Sequence, residues 1–440
     1  MASAFPPGPP LPAAIQAGLI WLDPIRFVQY CHRRYGDVFA IRIPVIGTLV
    51  FLANPEHIRM VLRGDPALFH AGEAAFPLAQ VVGTRSLLVI DENKHRRSRA
   101  LMLPAFHGES VRRQIAEMIA ITAEEVARWP VGKQFALYPC MQRLTLEVIL
   151  RTVIGVHDQH RLAALRAALP PMLEIGSPVE LIPPPEVLLR FGMWRRRAQH
   201  RAAVLALLAD EISRCRADPR LDQRTDALAM LVRSTDSAGE RMSDDELGDQ
   251  LVTLLLAGHD TTATALSWTF ERLTRHPELL ARTTQAAVNG DDAWLDAVCR
   301  ESLRVRPVLF EVGRKLTADL QLGGYQIPAG VTLTPSINLV QHSSRYYSDP
   351  EEFQPQRFLD HRPDPAVWLP FGGGVRRCLG ATFAQVEMRT VLREILSTVE
   401  LAVTTEPDEP VRARHVTMVP RHGAQVTVRR RIAADRLATA

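Results

Sequence analysis

The 440-residue chain carries 52 lysines and arginines against 48 acidic residues, a formal charge of +4, and 47% of it is hydrophobic. These are globular proportions, and they exclude a disordered, fibrous or acidic-tail protein. A surplus of four charges is too weak to point to nucleic acid, and since Lys94, Lys133 and Lys315 are the only lysines, the arginine excess reads as coding bias. Cys31, Cys140, Cys215, Cys299 and Cys378 lie at least 75 residues apart, which gives neither zinc spacing nor a redox pair. At least four of them read as buried, reduced thiols.

In chain order, residues 6–12 (PPGPPLP) form a stiff lead-in, and the apolar run 13–22 is too short to span a bilayer and contains Gln16. With no targeting segment evident, the expectation is a cytoplasmic chain without a membrane span. Val38–Ile43 and Thr48–Leu52 predict a hairpin turning at Pro44–Gly47. From about Pro55 to residue 300 the apolar spacing is mostly helical. Breaks are expected at Pro104, at Trp129–Gly132, and across 169–185, where Pro170-Pro171 and Pro183-Pro184-Pro185 suggest a greasy connection between helices. Strand signals return at 320–327 and 331–333. A helix follows Gly380, and weak strands follow near 411–428. The predicted fold is mainly α with small sheets, as a single domain over 1–440 in which 1–12 is the lead-in.

Ser243-Asp244-Asp245-Glu246 is a capping box opening a helix that runs to about His276, a length of ~50 Å. Its centre, Ala257-Gly258-His259-Asp260-Thr261-Thr262, sets a glycine and polar groups where packing would favour leucine. A buried Asp needs a partner, and Gly weakens a helix by ~1 kcal/mol. The Thr261 hydroxyl is placed to bond the Ala257 carbonyl and loosen the helix locally.

Residues 371–380, Phe-Gly-Gly-Gly-Val-Arg-Arg-Cys-Leu-Gly, bring Cys378 through a glycine-rich loop to a helix start beside Arg376 and Arg377, a setting that favours a thiolate. With Phe371, Gly374, Arg376, Cys378 and Gly380 in place, this segment resembles the haem-binding loop of the cytochrome P-450 family. Glu301-Ser302-Leu303-Arg304 and Pro355-Gln356-Arg357-Phe358 are similar to that family's Glu-Arg-Arg network, and Ala257–Thr262 to its oxygen-activating segment.

The resemblance implies a haem-thiolate monooxygenase with haem lying between the long helix and the Cys loop. Cys378 would be the axial ligand of haem b, and His95, Arg99, Arg314 and Arg376 would hold the propionates. Glu301, Arg304 and Arg357 would lock the Cys loop structurally. Asp260 and Thr261 would act as an acid–alcohol pair delivering protons, with Gly258 leaving room for the flat cofactor. NAD(P)H-derived electrons would come from a separate ferredoxin or flavodoxin-type donor with its reductase, and Arg96, Arg97 and Arg377 are candidates for docking it. The expected oligomeric state is a monomer. The alternatives are a hydrogen-peroxide-dependent peroxygenase and a non-catalytic haem-based carrier or sensor.

The expected pocket walls are residues 70–90, the 172–192 connection, Ala257, Leu309, Glu311 and Met418. They are mostly apolar, which favours a lipophilic small molecule. Glu311 would either anchor a substrate amine or hydroxyl or pair with a nearby arginine, and the ion pair is the readier expectation.

Overall fold

The computed structural model describes residues 4–173, 192–360, 363–414 and 416–432. The residues expected to connect two helices over 174–191, including Pro183-Pro184-Pro185, lie outside the described residues.

The lead-in does not project from the molecule. The Ala40 amide donates to the Pro7 carbonyl at 2.8 Å, and a Cβ on Gly8 would fall 2.1 Å from the Ala40 oxygen. The following helix, Ala13–Leu22, is pinned by Gln16. Its Nε2 donates to the carbonyls of Leu11 and Pro9, and its Oε1 accepts from the Arg42 amide at 2.9 Å. A glutamine inside an otherwise apolar run is thus fully satisfied and fully buried.

The predicted hairpin forms as β1 (Val38–Ile43) and β2 (Gly47–Leu52), paired antiparallel with Val38 opposite Leu52. The long helical stretch expected from Pro55 is interrupted by β3 (Phe69–His70) and β4 (Gln134–Ala136). Both are too short to show a period of two, so the sequence pattern could not register them. The break expected across 169–185 does not fall at Pro170-Pro171, and 174–185 lies outside the described residues. The Gln159–Leu173 helix passes through both prolines and leaves the carbonyls one turn upstream without their usual donors.

β5 (Arg314–Leu316), β6 (Leu320–Leu322), β7 (Tyr325–Ile327) and β8 (Thr332–Pro335) follow the Asp292–Val305 helix, which Pro307 prevents from continuing. A five-stranded sheet takes the order β1-β2-β8-β5-β3, with β2 and β8 parallel. Near the C-terminus β9 (Val399–Leu401), β10 (Val411–Arg414), β11 (Thr417–Pro420) and β12 (Gln425–Arg431) complete a β4-β12-β9 sheet and a β10-β11 hairpin.

The helical body is organised around Asp244–Arg275, whose capping box is present as expected. This central helix packs on the Leu137–Val148 helix, the Gly192–Ala217 helix, the Asp292–Val305 helix and β11. The Ala381–Thr398 helix lies beside it and shares the main apolar core through Met388, Val391, Leu392 and Ile395. The architecture is mainly α with small sheets, and Phe371 and Leu379 of the Cys378 loop pack against the same apolar core as Leu254 and Leu256 of the central helix.

Candidate active site

The Cys378 loop is shaped by glycine where nothing larger fits. Gly374 has φ +65°, and a Cβ there would lie 1.7 Å from the Leu62 carbonyl oxygen. A bond from the Cys378 amide to the Phe371 carbonyl (2.9 Å) closes the loop, and Gly380 caps the Ala381–Thr398 helix. The Phe371 ring meets Trp368 edge-on at 6.0 Å. Cys378 keeps accessible surface, whereas the other four cysteines are buried. Its thiol does not follow the expectation of a preformed thiolate. Burial pushes its pKa up, and the Gly380 amide, Arg377 and Arg99 offset this only partly. A metal bound to the sulfur is what would hold it deprotonated.

Behind the loop, His95, Arg314 and Arg376 gather around Asp91, and Arg99 stands beside His95 and Arg376. His95 is buried and held neutral, driven down to about 3 by burial and then by the charges of Arg376 and Arg99. Arg314 is buried and donates to the Gly313 carbonyl at 2.7 Å, and its pKa falls to about 10, through burial and then Arg376. Burial also lowers Arg99, close to Cys378. Among the described residues neither Arg99 nor Arg314 pairs with a carboxylate. Arg376 differs, because its guanidinium already binds Asp91 and the carbonyls of Leu87 and Ile90. Asp91 was missed in the sequence. It stands just before the Glu92–Met102 helix as a cap would, but its oxygens accept instead from the amides of Gly72 and Glu73.

The Glu301–Arg304 pair is far from a surface ion pair, since both side chains are fully buried, with two bonds of 2.7 Å between them. Arg357 stands 3.5 Å from Glu301 and donates to the Ser348 hydroxyl and the Asp349 carbonyl. The route from this pair to the Cys loop runs through Gln341. Arg304 donates to the Gln341 carbonyl, the Gln341 amide nitrogen donates to the carbonyls of Leu303 and Arg304, and Gln341 Oε1 accepts from the Leu369 amide at 2.9 Å. Leu369 is two residues before Phe371.

Across the site, Thr261 Oγ donates to the Ala257 carbonyl at 2.6 Å, as anticipated, yet the helix runs unbroken through it. One other expectation is corrected. A Cβ on Gly258 would meet Ile149 Cδ1 at 2.8 Å, so this glycine accommodates a neighbouring helix rather than a flat cofactor. Asp260, expected to work with Thr261, takes its hydrogen bonds from other residues. Its Oδ1 accepts from Tyr138 (2.5 Å) and Gln142 (3.0 Å), its Oδ2 accepts from Thr417 (3.1 Å), and Arg414 stands 3.6 Å away. Neighbouring residues on a helix point about 100° apart, so acid and alcohol face different surroundings.

Met418 is buried and lines a cleft of about 290 Å³ whose walls include Trp268, Arg306 and Asn338 but neither Cys378 nor Ala257. Ala257 is exposed, and Leu309 and Glu311 are partly enclosed. Of the candidates for docking a partner, Arg97 binds Asp236 at 2.6 Å and Glu246 at 3.2 Å, whereas Arg96 and Arg377 are exposed.

A surplus of buried positive charge beside an accessible thiol matches the needs of a haem. A haem bound there would bring two propionates as the missing carboxylates and an iron for which Cys378 could be the ligand. The cytochrome P450 family model matches residues 6–428. The chain is 50% identical to the Mycobacterium tuberculosis protein named cytochrome P450 135B1, over 99% of this chain and 94% of that one. It is 39% identical to cytochrome P450 135A1 of the same organism, over 97% and 95%. Among solved structures it is similar to retinoic acid-bound cyanobacterial CYP120A1 (TM-score 0.84, 24% identity, 98% of this chain and all of that one). The P450DA heme domain gives a TM-score of 0.82 at 23% identity, over 99% and 100%. The chain belongs to the cytochrome P450 family. It is a P450 monooxygenase, an oxidoreductase whose family works with haem and redox partners. No helix among the described residues is long and apolar enough to cross a membrane.

Proposed function

We propose that this chain is a single cytoplasmic haem domain. In this reading it holds haem b through Cys378 Sγ and inserts one oxygen atom of O2 into a lipophilic small molecule by C–H hydroxylation or epoxidation. Electrons come from NAD(P)H through a separate ferredoxin or flavodoxin-type donor and its reductase. The observation that carries the reading is the clustering of His95, Arg99, Arg314 and Arg376 near an accessible Cys378, with only Arg376 bound to an acid, Asp91, among the described residues. Haem bound there supplies the binding and reductive activation of O2.

The residues around it have separable tasks. Arg99 and Arg314 take the propionates, while Arg376, already tied to Asp91, shares its charge with them. The Phe371 carbonyl and the Gly380 amide fix the direction of Sγ. Thr261, donating to Ala257, keeps its oxygen lone pairs free to accept from a water and so place a proton donor near the reacting oxygen. Asp260 shapes the helix around Thr261 through its four-partner network. Ala257 and Leu309 contribute apolar wall that excludes water from the substrate.

The test is optical. Reduced, CO-treated protein should show the red-shifted Soret band of thiolate-ligated haem, and Cys378→Ser should lose it while other cysteine variants keep it. An ordinary histidine-type band in the wild type would overturn the ligand assignment. Turnover by hydrogen peroxide alone, with none from O2 plus donors, would replace the monooxygenase reading by the peroxygenase one.

A further inference from the structure

We infer that the N-terminal helix and the β1–β2 turn form a docking surface for an anionic lipid bilayer, on which the protein rests without crossing it. This goes beyond the haem-site reading and does not depend on it. The Ala13–Leu22 helix has no charged residue, and its one amide side chain, Gln16, is taken up by internal hydrogen bonds. A helix so apolar all round is expected to be covered on every side. Gln16 is buried and Ile20 packs on the cluster of Phe27 and Phe39, but Ile15, Leu19 and Leu22, at i, i+4 and i+7, face outward together. Leu22 is 81% exposed, and Trp21 beside it is exposed as well.

The turn of the β1–β2 hairpin adds to this surface. The Arg42 amide is bonded to Gln16, and Ile43 packs on the same cluster as Ile20, so residues 44–47 project beside the helix. At the tip Val45 is 76% exposed, and Ile46 is exposed too. Val45 has φ +70°, and the Ile46 amide donates to the Pro44 carbonyl at 2.8 Å, which makes a γ-turn of the rare, strained kind. A β-branched residue is poorly suited to that backbone, where glycine or asparagine would serve better. Neither local geometry nor core packing accounts for an apolar pair at this tip, which points to a contact outside the chain.

Charge selects the occupant. Arg26, Tyr30, Arg33 and Arg34 lie on the outer face of the Pro24–Tyr35 helix, whose inner face buries Phe27, Val28 and Cys31. Asp23 answers Arg26, and Asp37 is taken by His32 and Arg345. Arg33, Arg34 and Arg42 are exposed and pair with no carboxylate among the described residues. Arginines next to apolar side chains, with Trp21 and Tyr30 exposed among them, suit the boundary between anionic headgroups and acyl chains. A two-fold pairing with a second copy would instead set this positive surface against itself. No helix among the described residues can cross a membrane, so the contact is peripheral.

The experiment is co-sedimentation of the full haem-loaded chain with vesicles of phosphatidylcholine, alone or with about one-quarter phosphatidylglycerol. Partitioning onto the anionic vesicles should be at least ~10-fold stronger, and ~0.5 M NaCl should remove most of that difference. Leu19→Ser/Leu22→Ser should cut it at least ~10-fold, and Arg33→Gln/Arg34→Gln should cut it about 5-fold per arginine. Val45→Asn should weaken binding yet leave Tm unchanged or higher, because asparagine tolerates the backbone of the tip. Brominated acyl chains should quench tryptophan emission in the wild type, and Trp21→Phe should abolish the quenching. Equal partitioning onto both vesicles, undiminished binding by Leu19→Ser/Leu22→Ser, or quenching that survives Trp21→Phe would overturn the proposal. So would a wild-type dimer that Leu19→Ser/Leu22→Ser dissociates, since a second copy would then cover this face.

Discussion

Asp260 has to be understood through its partners. Burial acts to raise its carboxyl, but the Tyr138 hydroxyl, Arg414, His259 and Gln142 together outweigh burial and hold it below the ordinary 3.8. A carboxylate with a depressed pKa contributes stability that is complete above the unfolded value and is lost as pH falls through the folded one. Asp260→Asn should therefore cost about 1–3 kcal/mol at neutral pH, since Tyr138 and Arg414 lose a charged acceptor. The wild-type advantage in Tm should shrink as pH drops below about 4, and a constant offset across the acid range would refute this assignment. The sequence showed that an acid in mid-helix needs compensation. It could not show that Tyr138, 122 positions earlier, and Thr417, 157 later, provide it, because such pairings are set by tertiary packing. Gly258 was misjudged for a related reason, since Ile149, the atom that excludes a Cβ there, is supplied by another helix.

At the scale of elements, a chain of hydrogen bonds joins the Asp292–Val305 helix to the Cys378 loop. Glu301 and Arg304 are one helical turn apart, so their pairing was legible from spacing alone. Their complete burial was not, and neither was Gln341, a residue with no motif around it. Gln341 makes bonds on both sides, to Leu303 and Arg304 and from Leu369, and so couples the buried pair to the loop two residues before Phe371. Gln341→Ala should lower stability by about 1–3 kcal/mol through three unsatisfied backbone groups, and warming should convert the thiolate CO band at lower temperature than in wild type. If the band and global unfolding shift together by the same amount, Gln341 stabilises the fold generally and has no special hold on the loop. The Cys loop itself was the most legible element, because its glycines answer to local backbone demands such as the +65° φ at Gly374.

For the whole molecule, the mainly helical architecture and both terminal strand regions were readable from periodicity and turn residues. What was not readable is how distant strands meet. β1 and β2 are neighbours in sequence, but β2 pairs in parallel with β8, Leu49 beside Thr332, and no local signal specifies that register. Parallel pairing between segments so far apart carries a time as well as a geometry. At ribosomal rates of roughly 5–20 residues per second, β2 waits on the order of tens of seconds for its partner to be made. During that wait Leu49–Leu52, buried in the finished protein, presents an open hydrophobic edge to the cell. A ribosome-bound nascent chain stopped before Thr332 should be cut by protease in or beside β1 and β2, and the same sites should be protected in the completed chain. Protection already present in the arrested chain would mean that another segment covers the edge first. The N-terminal sheet of this enzyme is thus among the earliest parts to be translated and among the last to be finished, which makes chaperone supply during synthesis a determinant of yield.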